Sequence, residues 1–214
     1  MSTQTQQANR ILPKRLLSSS YDLISRLAYL FIKLKISPNA ISLTALVAGM
    51  GAGLLFFLEK PLSAGLVIIL CGIFDIIDGK VAASTKRTSL FGAIFDSTLD
   101  RYSEFFIYIC LAAYFRNHWA LWVAILAFLG SAMVSYTRAR AEGLGIECKI
   151  GIMQRAERLV FLCLGSIIGS LARIFDPVMI AVLAVIALIS NFTAFQRAFY
   201  VKKIEKQGKL RKED

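Results

Sequence analysis

The sequence predicts an all-α integral membrane protein: about six spanning helices preceded by an amphipathic helix lying in the membrane interface. Three observations carry that prediction. Hydrophobic residues make up 57% of the 214-residue chain and mean hydropathy is +0.62, whereas soluble domains are roughly 45–50% apolar. Apolar runs close to the ~20 residues that cross a bilayer as a helix recur over 40–58, 62–83, 90–115, 119–141, 153–174 and 177–200. Basic residues alternate with them. Lys60, Arg116 and Arg173 fall on one side, and the many others, from Arg10 to Lys212, fall on the other. The positive-inside rule therefore predicts that both termini are cytoplasmic.

In order along the chain, Met1 to Asn9 is polar, with no apolar stretch and small-residue cleavage site after it, so the first spanning helix is expected to direct insertion. Within residues 10–35, Leu23, Ile24, Leu27, Leu30, Phe31 and Leu34 recur at helical spacing, while Arg26, Lys33 and Lys35 lie elsewhere, which predicts the interfacial helix. Ser37-Pro38-Asn39 opens a new helix. Glu59-Lys60-Pro61, Arg116-Asn117-His118 and Ile174-Phe175-Asp176 read as tight turns between antiparallel helices. The expected organisation is 1–37 as tail and interfacial helix, 38–200 as a six-helix membrane domain and 201–214 as a basic cytoplasmic tail. Gly49, Gly51, Gly53, Gly65, Gly72, Gly165 and Gly169 read as helix-packing residues. Trp122 and the tyrosines near helix ends read as an aromatic belt.

Cys71, Cys110, Cys148 and Cys163 lack C-x-x-C spacing, and His118 is alone, so neither a disulfide framework nor a zinc site is expected. The net charge of +11 is assigned to topology and lipid contact rather than to nucleic acid.

The stretch FDIIDGKVAASTKRTSLFGAIFDSTLDR, residues 74–101, departs from this apolar pattern. Asp75 and Asp78 are three apart, Asp96 and Asp100 four apart, so each pair lies within roughly 60° on one helix face. An aspartate at the centre of a spanning helix costs about 3 kcal/mol even on the lenient insertion scale. Like charges this close either share protons or bind a multivalent cation. Carboxylates without His or Cys suit Mg²⁺, Mn²⁺ or Ca²⁺. A metal site between two helices follows. A pair neutralised by Arg101 for packing alone, and a cation or proton transporter, are the competing readings. Two pairs at one end, with no acid in the middle of the last three runs, count against both.

Written as spacing, the stretch is D-x2-D-G-x2-A-x9-G-x3-D-x3-D, through Asp75, Asp78, Gly79, Ala82, Gly92, Asp96 and Asp100. It resembles the signature of the CDP-alcohol phosphatidyltransferases. The resemblance implies a six-helix membrane enzyme, a homodimer of a bacterial or archaeal plasma membrane, that moves a phosphatidyl group from CDP-diacylglycerol to a small polar alcohol and releases CMP. Asp75, Asp78, Asp96 and Asp100 are then ligands of Mg²⁺ or Mn²⁺, two ions being expected, and Asp100 also takes the proton of the attacking hydroxyl. Asp78, Gly79, Ala82 and Gly92 are the expected CDP-binding residues, the last three leaving room for the cytidine. One position departs from the pattern: Ala83 stands where the family usually has Arg, with Lys80, Lys86 or Arg87 as the nearby cations.

For the acceptor, SYTRARAEGLGIECKIGIMQRAERLV places Arg138, Arg140, Lys149, Arg155 and Arg158 on the side of the aspartates. Arg captures phosphate bidentately; the bland alternative is topological anchoring. The segment is similar to the one bacterial phosphatidylinositol-phosphate synthases use for the phosphate of their acceptor. Arg138, Lys149, Arg155 and Arg158 are thereby the expected acceptor-phosphate residues, with inositol phosphate the leading acceptor and glycerol 3-phosphate the alternative. Glu142 and Glu157 are expected to orient these arginines, and Glu104 to support Asp100 or pair with Arg101.

Overall fold

A computed structural model describes residues 14–85 and 89–206, with side chains described from residue 24 onward. Among the described residues there are seven helices and no strand: α1 (Lys14–Lys33), α2 (Pro38–Phe57), α3 (Pro61–Ser84), α4 (Leu90–Tyr114), α5 (Ala120–Gly143), α6 (Arg155–Leu171) and α7 (Phe175–Lys206). The boundaries have local causes. Ser37 caps α2 by accepting from the Ala40 amide, Ser89 caps α4 by accepting from the Gly92 amide, and Pro38 and Pro61 occupy first turns that need no donor. At the ends of α1, α2 and α6, Lys35, Glu59 and Arg173 adopt positive φ of 56°, 58° and 57°. The amides of Ile36, Lys60 and Ile174 reach back to the carbonyls of Phe31, Leu55 and Gly169, the Schellman closure that ends a helix in a tight turn. The last turn lies at 172–174, two residues before the expected one, so Asp176 sits within α7 and accepts from the Tyr114 hydroxyl at 2.7 Å.

α2, α3, α5 and α7 are long and apolar enough to cross a membrane by length and composition. α4 carries Asp96, Asp100, Arg101 and Glu104, and α6 has 17 residues with Arg155, Glu157 and Arg158 in its first turn. Neither meets that test alone, so the hydropathy of the separate helices supports four spans. Tertiary packing nonetheless treats the six alike: α2 packs on α3, α3 on α6, α6 on α7, α7 on α5, α5 on α4, and α4 back on α2. They close a ring, filled by Phe56, Ile68, Ile107, Leu111, Leu162, Met179, Leu183 and Ile186. α1 lies outside the ring against α3, with Ile24, Leu27, Ala28 and Phe31 meeting Ile77 and Val81. Leu30 and Leu34, assigned by periodicity to the same apolar face, stay exposed.

Small residues set the crossings. A Cβ on Gly53 would lie 2.6 Å from the Phe106 carbonyl oxygen, and one on Gly49 would overlap Ser103, so α2 and α4 meet almost backbone to backbone. Gly51 and Gly72 have no such neighbour within 4 Å, and for these two the packing assignment fails. Gly53→Ala is therefore expected to lower stability by ~1–3 kcal/mol through overpacking, whereas Gly51→Ala leaves it unchanged or raises it by up to ~1 kcal/mol through helix propensity. Thermal unfolding in detergent checks this, and equal losses in both variants would remove the close-approach argument.

Candidate active site

α3 and α4 each pack on α2, and this brings their aspartates together. Asp75, Asp78 and Asp96 each offer an oxygen within 4.8 Å of the others. A Mg²⁺- or Ca²⁺-like ion, with bonds of about 2.0–2.6 Å, separates opposite ligands by roughly 4–5 Å, so three hard carboxylate donors at this spacing fit such a cation. Ser42 of α2 donates to Asp78 Oδ2 at 2.7 Å, buried, and fixes that carboxylate. Ser42 follows Pro38 by one helical turn; its polar side chain in an apolar run was a signal that spacing among acids alone does not register.

Asp100 stands outside this trio in a chain of alternating charges. Arg155 Nη1 lies 2.6 Å from Asp75 Oδ1 and its Nη2 lies 2.8 Å from Asp100 Oδ1. Arg101 Nη2 lies 3.8 Å from Asp100 Oδ2, and its Nη1 lies 3.4 Å from Glu104 Oε2 and also donates to Ser135. Arg158 closes the chain on Glu104 Oε1 at 2.7 Å from Nη2 and 3.2 Å from Nε, both residues buried. Glu104 therefore serves Arg158 as well as Arg101.

Two clefts adjoin the carboxylates. The smaller, ≈ 230 Å³, is lined by Pro38, Asn39, Ser42, Asp78, Gly79, Ala82, Ser89, Gly92, Ala93 and Asp96. All four residues expected to bind CDP are among them. A Cβ on Gly79 would meet nothing within 4 Å, and one on Gly92 would lie 3.0 Å from the capping Ser89 hydroxyl. The larger cavity, ≈ 850 Å³, shares Asp78, Gly79 and Asp96 with the first and adds Asp75, Asp100, Arg138, Arg155, Arg158 and Arg197.

The expected acceptor arginines separate here. Arg155 and Arg138 face the cavity, Arg138 held at 2.8 Å by Glu142 one turn on. Arg158 forms part of the cavity wall but is only 1% exposed and committed to Glu104. Lys149 is exposed, pairs with Glu147 and does not line the cavity. Glu157 accepts from the Gln154 amide at the start of α6, a cap for the helix rather than a guide for an arginine. Near Ala83, Lys80 donates to Ser25 of α1 at 2.7 Å, while Lys86 and Arg87 lie outside the described residues. Arg197 escaped the sequence reading, which counted it only among the basic residues of the cytoplasmic side. It is 4% exposed, donates through Nε to the Ile150 carbonyl at 2.8 Å and through Nη1 to that of Val134, and lines the cavity. A lone arginine in the apolar run NFTAFQRAFY was the missed signal.

Comparison with known proteins gives the family. The chain is 36% identical over 169 residues to the archaetidylinositol phosphate synthase of Methanothermobacter thermautotrophicus, covering 79% of this chain and 85% of that protein. It is 32% identical over 186 residues to the archaetidylinositol phosphate synthase of Pyrococcus horikoshii, covering 86% and 94%. The fold matches the crystal structure of Mycobacterium tuberculosis phosphatidylinositol phosphate synthase with CDP-DAG bound at TM-score 0.77 and 24% identity, over 84% of this chain and 94% of that one. The family profile of the CDP-alcohol phosphatidyltransferases spans residues 35–192, which takes in the four aspartates, the smaller cleft and the lining of the larger cavity except Arg197. The chain, an integral membrane enzyme, belongs to the CDP-alcohol phosphatidyltransferase family.

Proposed function

We propose that the enzyme transfers the phosphatidyl group of CDP-diacylglycerol to a hydroxyl of a phosphorylated polyol, inositol phosphate foremost, at the cytoplasmic face of six spanning helices. One observation carries the reading: a nucleotide-sized cleft and an arginine-lined cavity open on the same carboxylates, sharing Asp78, Gly79 and Asp96. Asp75, Asp78 and Asp96, with Asp100 if two ions bind, would hold Mg²⁺ or Mn²⁺, which when bound polarises a pyrophosphate and stabilises the departing CMP. Gly79, Ala82 and Gly92 leave space for the cytidine, and Ser42 keeps Asp78 in place. Arg138 and Arg155 receive the acceptor's phosphate, with Arg197 behind them. Asp100, in the same cavity, takes the proton from the attacking hydroxyl.

The basic residues at this end, Lys80, Arg138, Arg140, Lys149 and Lys202 among them, support the cytoplasmic orientation. The 25 residues of α4 extend roughly 37 Å at 1.5 Å per residue, enough to span once its charges face the ring. Residues 38–200 form the catalytic unit, α1 its interfacial support. A homodimer completes the reading, and crosslinking of the purified protein tests it.

Purified enzyme given CDP-diacylglycerol with inositol phosphate, glycerol 3-phosphate, inositol or serine is expected to release CMP fastest with inositol phosphate. A preference for glycerol 3-phosphate would move the acceptor assignment, and a preference for an unphosphorylated alcohol would remove the phosphate role of the arginines. EDTA is expected to abolish turnover and Mg²⁺ or Mn²⁺ to restore it; turnover indifferent to chelation would count against the carboxylate site.

A further inference from the structure

Arg155 is claimed by two partners that cannot hold it together. Its fork joins Asp75 of α3 to Asp100 of α4 at 2.6 and 2.8 Å, with the side chain 13% exposed. Its third nitrogen, Nε, is buried and makes no hydrogen bond. The same side chain faces the cavity that the proposed phosphorylated acceptor would enter, and the inference rests on that reading. A guanidinium lying across two carboxylates has no second fork to offer a phosphate. Equally, the Asp75 and Asp100 oxygens that accept from it are not free to ligate a cation.

The two conflicts resolve together by an exchange of partners. A divalent cation takes the carboxylates, the phosphate takes the guanidinium, and each ligand removes the other's competitor. Arg155 is the first residue of α6, so its side chain can turn from the carboxylates into the cavity without moving the helix. We infer that Arg155 couples the metal site to the acceptor site, so that a divalent cation and the acceptor's phosphate each tighten the binding of the other. By linkage the two factors are equal. An unphosphorylated polyol brings no anion to draw Arg155 away, which leaves the guanidinium on Asp100 and gives the site a means of selecting phosphorylated acceptors.

Mn²⁺ binding to the purified, detergent-solubilised protein tests this without turnover. Free Mn²⁺ is read by electron paramagnetic resonance, with and without inorganic phosphate, and protein-free controls correct for Mn²⁺–phosphate association. Phosphate is expected to tighten Mn²⁺ binding roughly five- to tenfold in the natural protein, within the usual range of coupling between sites. Arg155→Gln is expected to bind Mn²⁺ roughly tenfold more tightly without phosphate, and phosphate then adds nothing. Arg155→Lys keeps the charge but cannot fork across two carboxylates, so its Mn²⁺ affinity is expected to fall between the two. The proposal is overturned if Arg155→Gln binds Mn²⁺ no more tightly, if phosphate coupling persists in that variant, or if Arg155→Lys matches the natural protein in both measurements, which would reduce Arg155 to a background charge. Should Arg155→Gln not fold, Arg155→Lys decides alone. Because the measurement contains neither lipid nor polyol, rejection of inositol phosphate as acceptor and rejection of the coupling are separate results.

Discussion

Asp100→Asn is expected to slow CMP release by about 10²- to 10⁴-fold, the usual contribution of a positioned general base. The amide keeps the shape of the side chain but has no charge to offer Arg155 and accepts no proton from the acceptor hydroxyl. Asp100 belongs to the charge chain rather than to the carboxylate trio, whose oxygens lie within 4.8 Å. The variant is therefore expected to retain Mn²⁺ binding at Asp75, Asp78 and Asp96 while losing turnover. Asp96→Asn is expected to lose both. Rates of CMP release and direct Mn²⁺ titration on the two variants separate the roles. Unimpaired turnover in Asp100→Asn would refute its assignment as base.

The second large effect is on stability. Glu104 and Arg158 are 2% and 1% exposed and meet at 2.7 Å, and Arg158 Nη1 already lacks a hydrogen-bond partner. Glu104→Ala leaves a guanidinium buried without its counter-charge, a loss of ~3–5 kcal/mol for breaking a buried pair. That is a large share of the roughly 5–15 kcal/mol that holds a folded domain, so the variant is expected to unfold at much lower temperature or not to accumulate. The double change Glu104→Leu with Arg158→Met removes both charges and is expected to recover most of the loss. Thermal unfolding of the two single variants and the double one measures the coupling; a double variant as unstable as the sum of the singles would show that the pair does not act as a unit. An unchanged acceptor KM in the recovered double variant would place Arg158 in the frame of the cavity, apart from the substrate.

The contrast between Arg155 and Arg158 shows how far residue spacing reaches. Both stand in QRAERLV, three apart, on the first turn of one helix. Periodicity puts them on one face and says nothing of depth. The closing of the ring sends one toward Asp75 of α3 and Asp100 of α4 and the other into Glu104 of α4. Lys149 shows the opposite failure: counted with the arginines because it is basic and nearby in sequence, it pairs with Glu147 and does not line the cavity. Arg197 is separated by 39 positions from Arg158 in the numbering of the chain, and only the return of α7 beside α5 and α6 brings it to the same wall.

The sequence by itself determined the helical membrane class, the break at Ser37-Pro38-Asn39 that opens a new helix, and the four aspartates with their glycines. Each of these depends on neighbours within a few residues or on the apolar content of one segment. Tertiary structure alone decided that α2 packs on both α3 and α4 and fixes Asp78 through Ser42, that Arg155 lies between Asp75 and Asp100, and that Glu104 holds Arg158 in the cavity wall. Those partners lie 36, 80, 55 and 54 residues apart. Which charges meet across such distances depends on how the six-helix ring closes, and the period of a single helix carries no record of that.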